Sequence, residues 1–155
     1  MKVNFKHLII SILIPLLIGG LSALLTKNSM SIYQNLILPP LSPPGIVFPI
    51  IWTILFILMG ISSYIIYQSN GEEKENALKI YIIQLLLNFI WSIIFFKFTN
   101  FVIAFTILVI LWIFILKMIS CFSEISNISG KLQIPYLLWV TFAGYLNLMV
   151  VVLNK

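Results

Sequence analysis

From Leu8 to Thr26 the chain runs without a charged side chain, and four more apolar stretches of similar length follow, broken only by lysines near their ends. No other feature constrains the fold as strongly. A hydrocarbon core about 30 Å thick is crossed by about 20 apolar residues in an α-helix. In lipid, only a helix or a closed barrel pairs every backbone N–H and C=O internally. The stretches predict spans at about 8–26, 46–67, 77–98, 101–122 and 134–153. Little but short connectors remains of the 155 residues, so 1–155 reads as a single transmembrane domain. The expected class is all-α: an integral membrane bundle of five transmembrane helices, multi-pass in the cell membrane.

Composition agrees, because 8% charged residues against 61% hydrophobic ones cannot coat a soluble surface, which carries about 25% charge. Nine lysines outnumber four glutamates, and arginine is absent. The lysines are scattered singly, which is no nucleic-acid footprint and suits side chains snorkelling from helix ends to headgroups. Six lysines fall on the N-terminal side and three on the other, favouring an inside N-terminus. The lysine- and isoleucine-rich composition suggests an AT-rich bacterial genome. With only Cys121 and His7, no intrachain disulfide or Cys/His metal site can be assembled, and no cofactor is expected. Lys2, Lys6 and His7 precede an apolar run as in a signal peptide, but the run continues to Thr26 without an A-x-A pattern, so an uncleaved first span is expected.

No Asp, Glu, Arg or His lies mid-span, where proton relays and voltage sensors need charge. No serine has a histidine or carboxylate partner for hydrolysis, and no internal repeat suggests an alternating-access transporter. The spans instead carry uncharged polar residues among aromatics. Gln84, Asn88 and Ser92 share one helical face with Trp91 beside them. Pro49, Trp52, Phe56, Met59 and Ser63 form a second stripe. Tyr136, Val140, Ala143 and Asn147 form a third, with Trp139 nearby. Two readings stand side by side. The amides can be interhelical glue, worth about 0.6 kcal/mol per bond. Alternatively, the tryptophans line an apolar pocket in which a few amides orient a flat ligand.

The segment 27–45, with Pro39, Pro40, Pro43 and Pro44, is long for a connector and reads as a lid. Pro44 is expected near the first turn of the second span, where its missing N–H costs nothing. Gly19 and Ala23 form a small-xxx-small pair suited to close helix contact. The segment 123–133, with Asn127, Ser129 and Gly130, reads as a polar loop.

The residues from Pro39 to Ser63, PPLSPPGIVFPIIWTILFILMGISS, resemble the family of tryptophan-rich sensory proteins and mitochondrial translocator proteins, also called peripheral-type benzodiazepine receptors. The family pattern P-x-W-x-P-P then P-x-W-x-x-L-[YF]-x-x-M-G-x-x-S is matched through Trp52, Leu55, Phe56, Met59 and Gly60. QLLLNFIWSIIFF is similar to its Q-L-x-L-N-x-x-W-S-x-x-F-F, and PYLLWVTFAGYLN to its P-Y-x-x-W-x-x-F-A-x-x-L-N. The resemblance implies a five-helix bundle whose pocket, beneath the first loop, binds porphyrins such as protoporphyrin IX and other flat aromatic ligands. It implies a ligand set of Tyr33, Trp52, Asn88, Trp91, Trp139, Ala143 and Asn147, with the first and fourth spans left as scaffold or dimer surface, and commonly a homodimer. It also raises light-dependent porphyrin breakdown with Trp52 and Trp139 as participants, and tetrapyrrole or sterol transport. The chain departs from the pattern at Leu41, where the family has tryptophan, and at Leu38, where it usually has a basic residue. The animal cholesterol segment needs a basic residue within five of a tyrosine. Tyr145 has none before Lys155, and Leu148 stands at the motif tyrosine, so no cholesterol role is expected there.

Overall fold

The structure is a computed structural model that describes residues 2–155, apart from the side chain of Met30. Five long helices run antiparallel: α1 (Phe5–Thr26), α3 (Val47–Gln68), α4 (Glu73–Ser92), α5 (Phe101–Ile125) and α7 (Ile134–Leu153). Two short ones, α2 (Met30–Gln34) and α6 (Asn127–Leu132), lie in connections. Among the described residues there is no strand. The five long helical segments are long and apolar enough to cross a membrane. Their outward faces, such as Leu17 and Leu21 on α1 and Val102 on α5, are exposed, as surfaces meeting lipid tails must be.

Hydropathy places the start of the first span at about Leu8, whereas α1 begins at Phe5. The extra turn holds Lys6 and His7, whose polarity hides it from a hydropathy reading. Asn4 starts it, its side-chain oxygen accepting the His7 N–H at 3.2 Å, the usual way of satisfying an orphan donor. Pro15 lies inside α1 and cannot donate to the carbonyl of Ser11. That carbonyl packs against Gly60 of α3, and a Cβ at Gly60 would strike the Ser11 and Ile12 backbone. The glycine and the proline together bring α1 and α3 into backbone contact. Gly19, one half of the expected small-residue pair, meets the Phe56 ring instead.

Pro44 stands three residues ahead of α3, its carbonyl accepting the Val47 N–H at 2.9 Å. Pro49 is the residue that occupies the first turn, where a missing donor is harmless for the reason expected of Pro44. After Ser92, α4 ends in a π-helical turn, Ile93–Lys97. Asn100 then caps α5 by accepting the Ile103 N–H at 3.1 Å.

The segment 123–133 is helical rather than a loop. Ser126 caps α6, and Ser129 locks it to α3: the Ser129 hydroxyl donates to the Ser62 carbonyl and the Ser62 hydroxyl to the Ser129 carbonyl, both at 2.8 Å. Sequence polarity cannot separate a solvated loop from a helix whose hydroxyls point inward. The core is centred on Met59, Leu85, Leu111, Ile115, Met118 and Val140, all essentially fully buried.

Candidate ligand-binding cavity

A cavity of about 520 Å³ opens between α1, α3, α4 and α7, beneath the segment that joins α1 to α3. That is within the 300–1,000 Å³ of small-molecule sites. All seven residues singled out in the sequence line it: Tyr33 from α2, Trp52 from α3, Asn88 and Trp91 from α4, and Trp139, Ala143 and Asn147 from α7. Helical spacing explains the convergence. On each inward stripe the upper residues reach the cavity while those a turn or two below, Met59, Gln84 and Val140, are buried in the core.

The walls are aromatic. Trp52 stacks on Phe56, with ring centroids 5.5 Å apart and planes at 27°, and lies 6.3 Å from Trp91. Trp139 meets Phe48 edge-on at 5.9 Å. Tyr33 closes the ring of aromatics at 5.7 Å from Phe96 and 6.2 Å from Phe95. Burial holds the Tyr33 phenol above its ordinary range, so it stays a neutral hydrogen-bonding group at physiological pH.

Asn88 and Asn147 reconcile the two sequence readings, since each lines the cavity and also bridges helices. Asn88 donates to the Tyr136 hydroxyl at 2.9 Å, and that hydroxyl donates to Gln84 at 2.7 Å. Asn147 accepts from the Trp91 indole at 3.1 Å and donates to the Phe101 carbonyl at 2.9 Å. The cavity polar groups are thus largely committed to the fold. The indole N–H of Trp139 is buried without an acceptor among the described residues.

The profile of the TspO/MBR family matches residues 11–153 of this chain. The chain belongs to the TspO/MBR family. It is similar to tryptophan-rich protein TspO of Chlorobaculum tepidum, 37% identical over 79% of this chain and 78% of that protein. It is similar to the protein of that name from Archaeoglobus fulgidus, 33% identical over 97% and 99%. The translocator protein of Bos taurus is 32% identical over 87% of this chain and 82% of its own. Family membership and five membrane-spanning helices make this a multi-pass membrane protein.

Two features of this TspO/MBR chain were out of reach of the motifs. The first is α1, expected as scaffold or dimer surface but in fact a cavity wall, through Gly19, Ser22, Ala23 and Thr26. Ser22 donates to Ser92 of α4 at 2.6 Å. The signal was present, since these small and hydroxylic residues recur at i, i+3, i+4 and i+7. The second is the way the segment between α1 and α3 is held. Residues 27–45 contain a 3₁₀ turn (Lys27–Ser29) and α2, and hydrogen bonds fasten the segment to α7 and the residue that follows it. Asn154 accepts from the Ile37 N–H at 2.9 Å and donates to its carbonyl at 3.0 Å. Tyr145 donates to the Pro40 carbonyl at 2.9 Å.

Leu41 is 81% exposed with φ 70° and does not line the cavity. Leu41 thus adds nothing to the aromatic ring below. The fourth tryptophan, Trp112, points outward from α5 and donates to Thr141 at 2.9 Å. It takes no part in the cavity.

Proposed function

We propose that this TspO/MBR member is a membrane receptor that binds porphyrins and other flat aromatic molecules in the cavity beneath the lid. One observation carries the reading: Trp52, Trp91, Trp139 and Tyr33, from four different helices, face a single apolar cavity. Ring stacking supplies about 0.5–1.5 kcal/mol per pair beyond simple burial, and a flat conjugated ligand gains most from it. The names of the relatives, tryptophan-rich proteins and translocator proteins, are compatible with such a role.

The test is titration of the purified protein with protoporphyrin IX, followed by the shift of the porphyrin absorption bands. Trp52→Phe and Trp139→Phe are each expected to weaken binding by about three- to tenfold. Saturation unchanged in both variants places the ligand elsewhere.

A second reading is favoured by the presence of Trp52 and Trp139 in the same cavity. Indoles held against a photoexcited porphyrin are the side chains most exposed to the oxidants it generates in air, so light-dependent porphyrin breakdown would proceed through them. Bleaching of the porphyrin bands under illumination, at equal rates in wild type and the Trp52→Phe/Trp139→Phe double variant, would sink this reading.

A further inference from the structure

Among the described residues, one charged side chain lines the cavity: Lys27. It follows the buried Thr26 where α1 passes into the 3₁₀ turn, and is itself exposed. It thus stands at the rim, where the aromatic walls give way to the membrane surface.

The surroundings isolate this cation. Residues 28–46 contain no charged side chain, Leu38 included. All four carboxylate side chains, Glu72, Glu73, Glu75 and Glu124, belong to the opposite end of the bundle, where α3 ends, α4 begins and α5 ends. The near end carries Lys27, Lys97 and Lys155 and no acidic side chain. Snorkelling to lipid headgroups accounts for a lysine at a helix end, and it suffices for Lys97, which follows Phe96 but does not line the cavity. It does not suffice for Lys27, whose own helical face, Gly19, Ala23 and Thr26, is cavity wall.

We propose that Lys27 is the residue by which the cavity recognises a carboxylate. Its preferred ligands are then amphipathic: a flat aromatic body among the tryptophans and an anionic group at the rim. An ammonium beside an apolar cavity is less screened than one on an open surface and forms a charge-assisted hydrogen bond to a carboxylate oxygen. Protoporphyrin IX suits this geometry because both its propionates leave from one edge of the macrocycle. The proposal rests on the porphyrin reading of the cavity and adds what orients the ligand there.

The test compares protoporphyrin IX with its dimethyl ester, which keeps the ring and removes both charges. Each is titrated against wild type, Lys27→Gln, Lys27→Arg and Lys97→Gln. Partition of the two porphyrins into detergent is common to all four proteins, so the acid-to-ester affinity ratio of each variant is read relative to wild type. Relative to wild type, Lys27→Gln is expected to lower the acid-to-ester ratio by about tenfold. The loss should fall on the acid, and saturable binding of the ester by Lys27→Gln shows that the variant is folded. Lys27→Arg and Lys97→Gln should keep the wild-type ratio. An acid-to-ester ratio that Lys27→Gln leaves unchanged, or that Lys97→Gln abolishes instead, overturns the proposal and leaves the porphyrin site standing. No saturable binding of either form by wild type overturns the porphyrin reading and this proposal with it.

Discussion

The indole N–H of Trp91 donates to the side-chain oxygen of Asn147 at 3.1 Å, tying α4 to α7 at the cavity wall. The Asn147 amide nitrogen continues to the Phe101 carbonyl at 2.9 Å, so one side chain holds the start of α5 as well. Asn147 is 1% exposed and Trp91 7%, and each would leave a buried polar group unpaired if its partner were removed. Asn147→Leu should therefore destabilise the protein by about 1–3 kcal/mol. In a double-mutant cycle, Trp91→Phe and Asn147→Leu should couple by about 0.5–1.5 kcal/mol, read from thermal unfolding in detergent. Strict additivity would mean that the two residues touch without cooperating.

Tyr136 sits one layer below, taking a hydrogen bond from Asn88 and giving one to Gln84. Tyr136→Phe keeps the ring that meets Trp52 edge-on at 6.2 Å and deletes only the hydroxyl. It should lower stability by about 1–2 kcal/mol, with porphyrin affinity falling less than in Trp52→Phe. A larger loss of affinity than of stability would show that the hydroxyl acts on the ligand rather than on helix spacing.

At Gly60, α3 meets the backbone of α1, and a methyl there would strike the Ser11 and Ile12 main chain. Gly60→Ala is expected to cost about 1–3 kcal/mol. Gly20→Ala, with nothing within 4 Å of the added carbon, should be neutral to slightly stabilising. The melting temperatures of the two variants separate a packing requirement at one position from a general intolerance of alanine in these helices.

The lid is held by side chains far away in sequence. Asn154→Ala removes both bonds to the Ile37 backbone, groups that then turn to water at a cost of about 1 kcal/mol. Bound porphyrin should leave about three- to tenfold faster, with little change in melting temperature because the affected backbone is exposed. Unchanged stopped-flow release would show that the ligand does not pass beneath this lid.

Much of the fold was legible in the sequence, because a membrane makes length and hydropathy decisive. The inward stripes were legible too, since a period of 3.6 residues fixes which side chains share a face regardless of what that face meets. Trp52, Asn88, Trp91 and Asn147 could thus be singled out as cavity candidates. The helical character of 127–132 was hidden, because Ser129 and Gly130 look like loop residues until the Ser62 backbone is there to receive them.

The sequence by itself determined the membrane class, the five helices and the aromatic chemistry available to a site, all of which follow from local composition and spacing, and its three ordered motifs carried the resemblance to the family. The tertiary structure alone decided which faces meet. It turned α1 into a cavity wall through contact of the Ser11 and Ile12 backbone with Gly60. It fastened Ile37 to Asn154 across 117 positions, brought Lys27 to the rim, and gave Asn88 and Asn147 their partners on other helices. The physical reason is that helix formation is a short-range property, whereas the pairing of buried amides and the closest approach of two backbones are contests among distant segments.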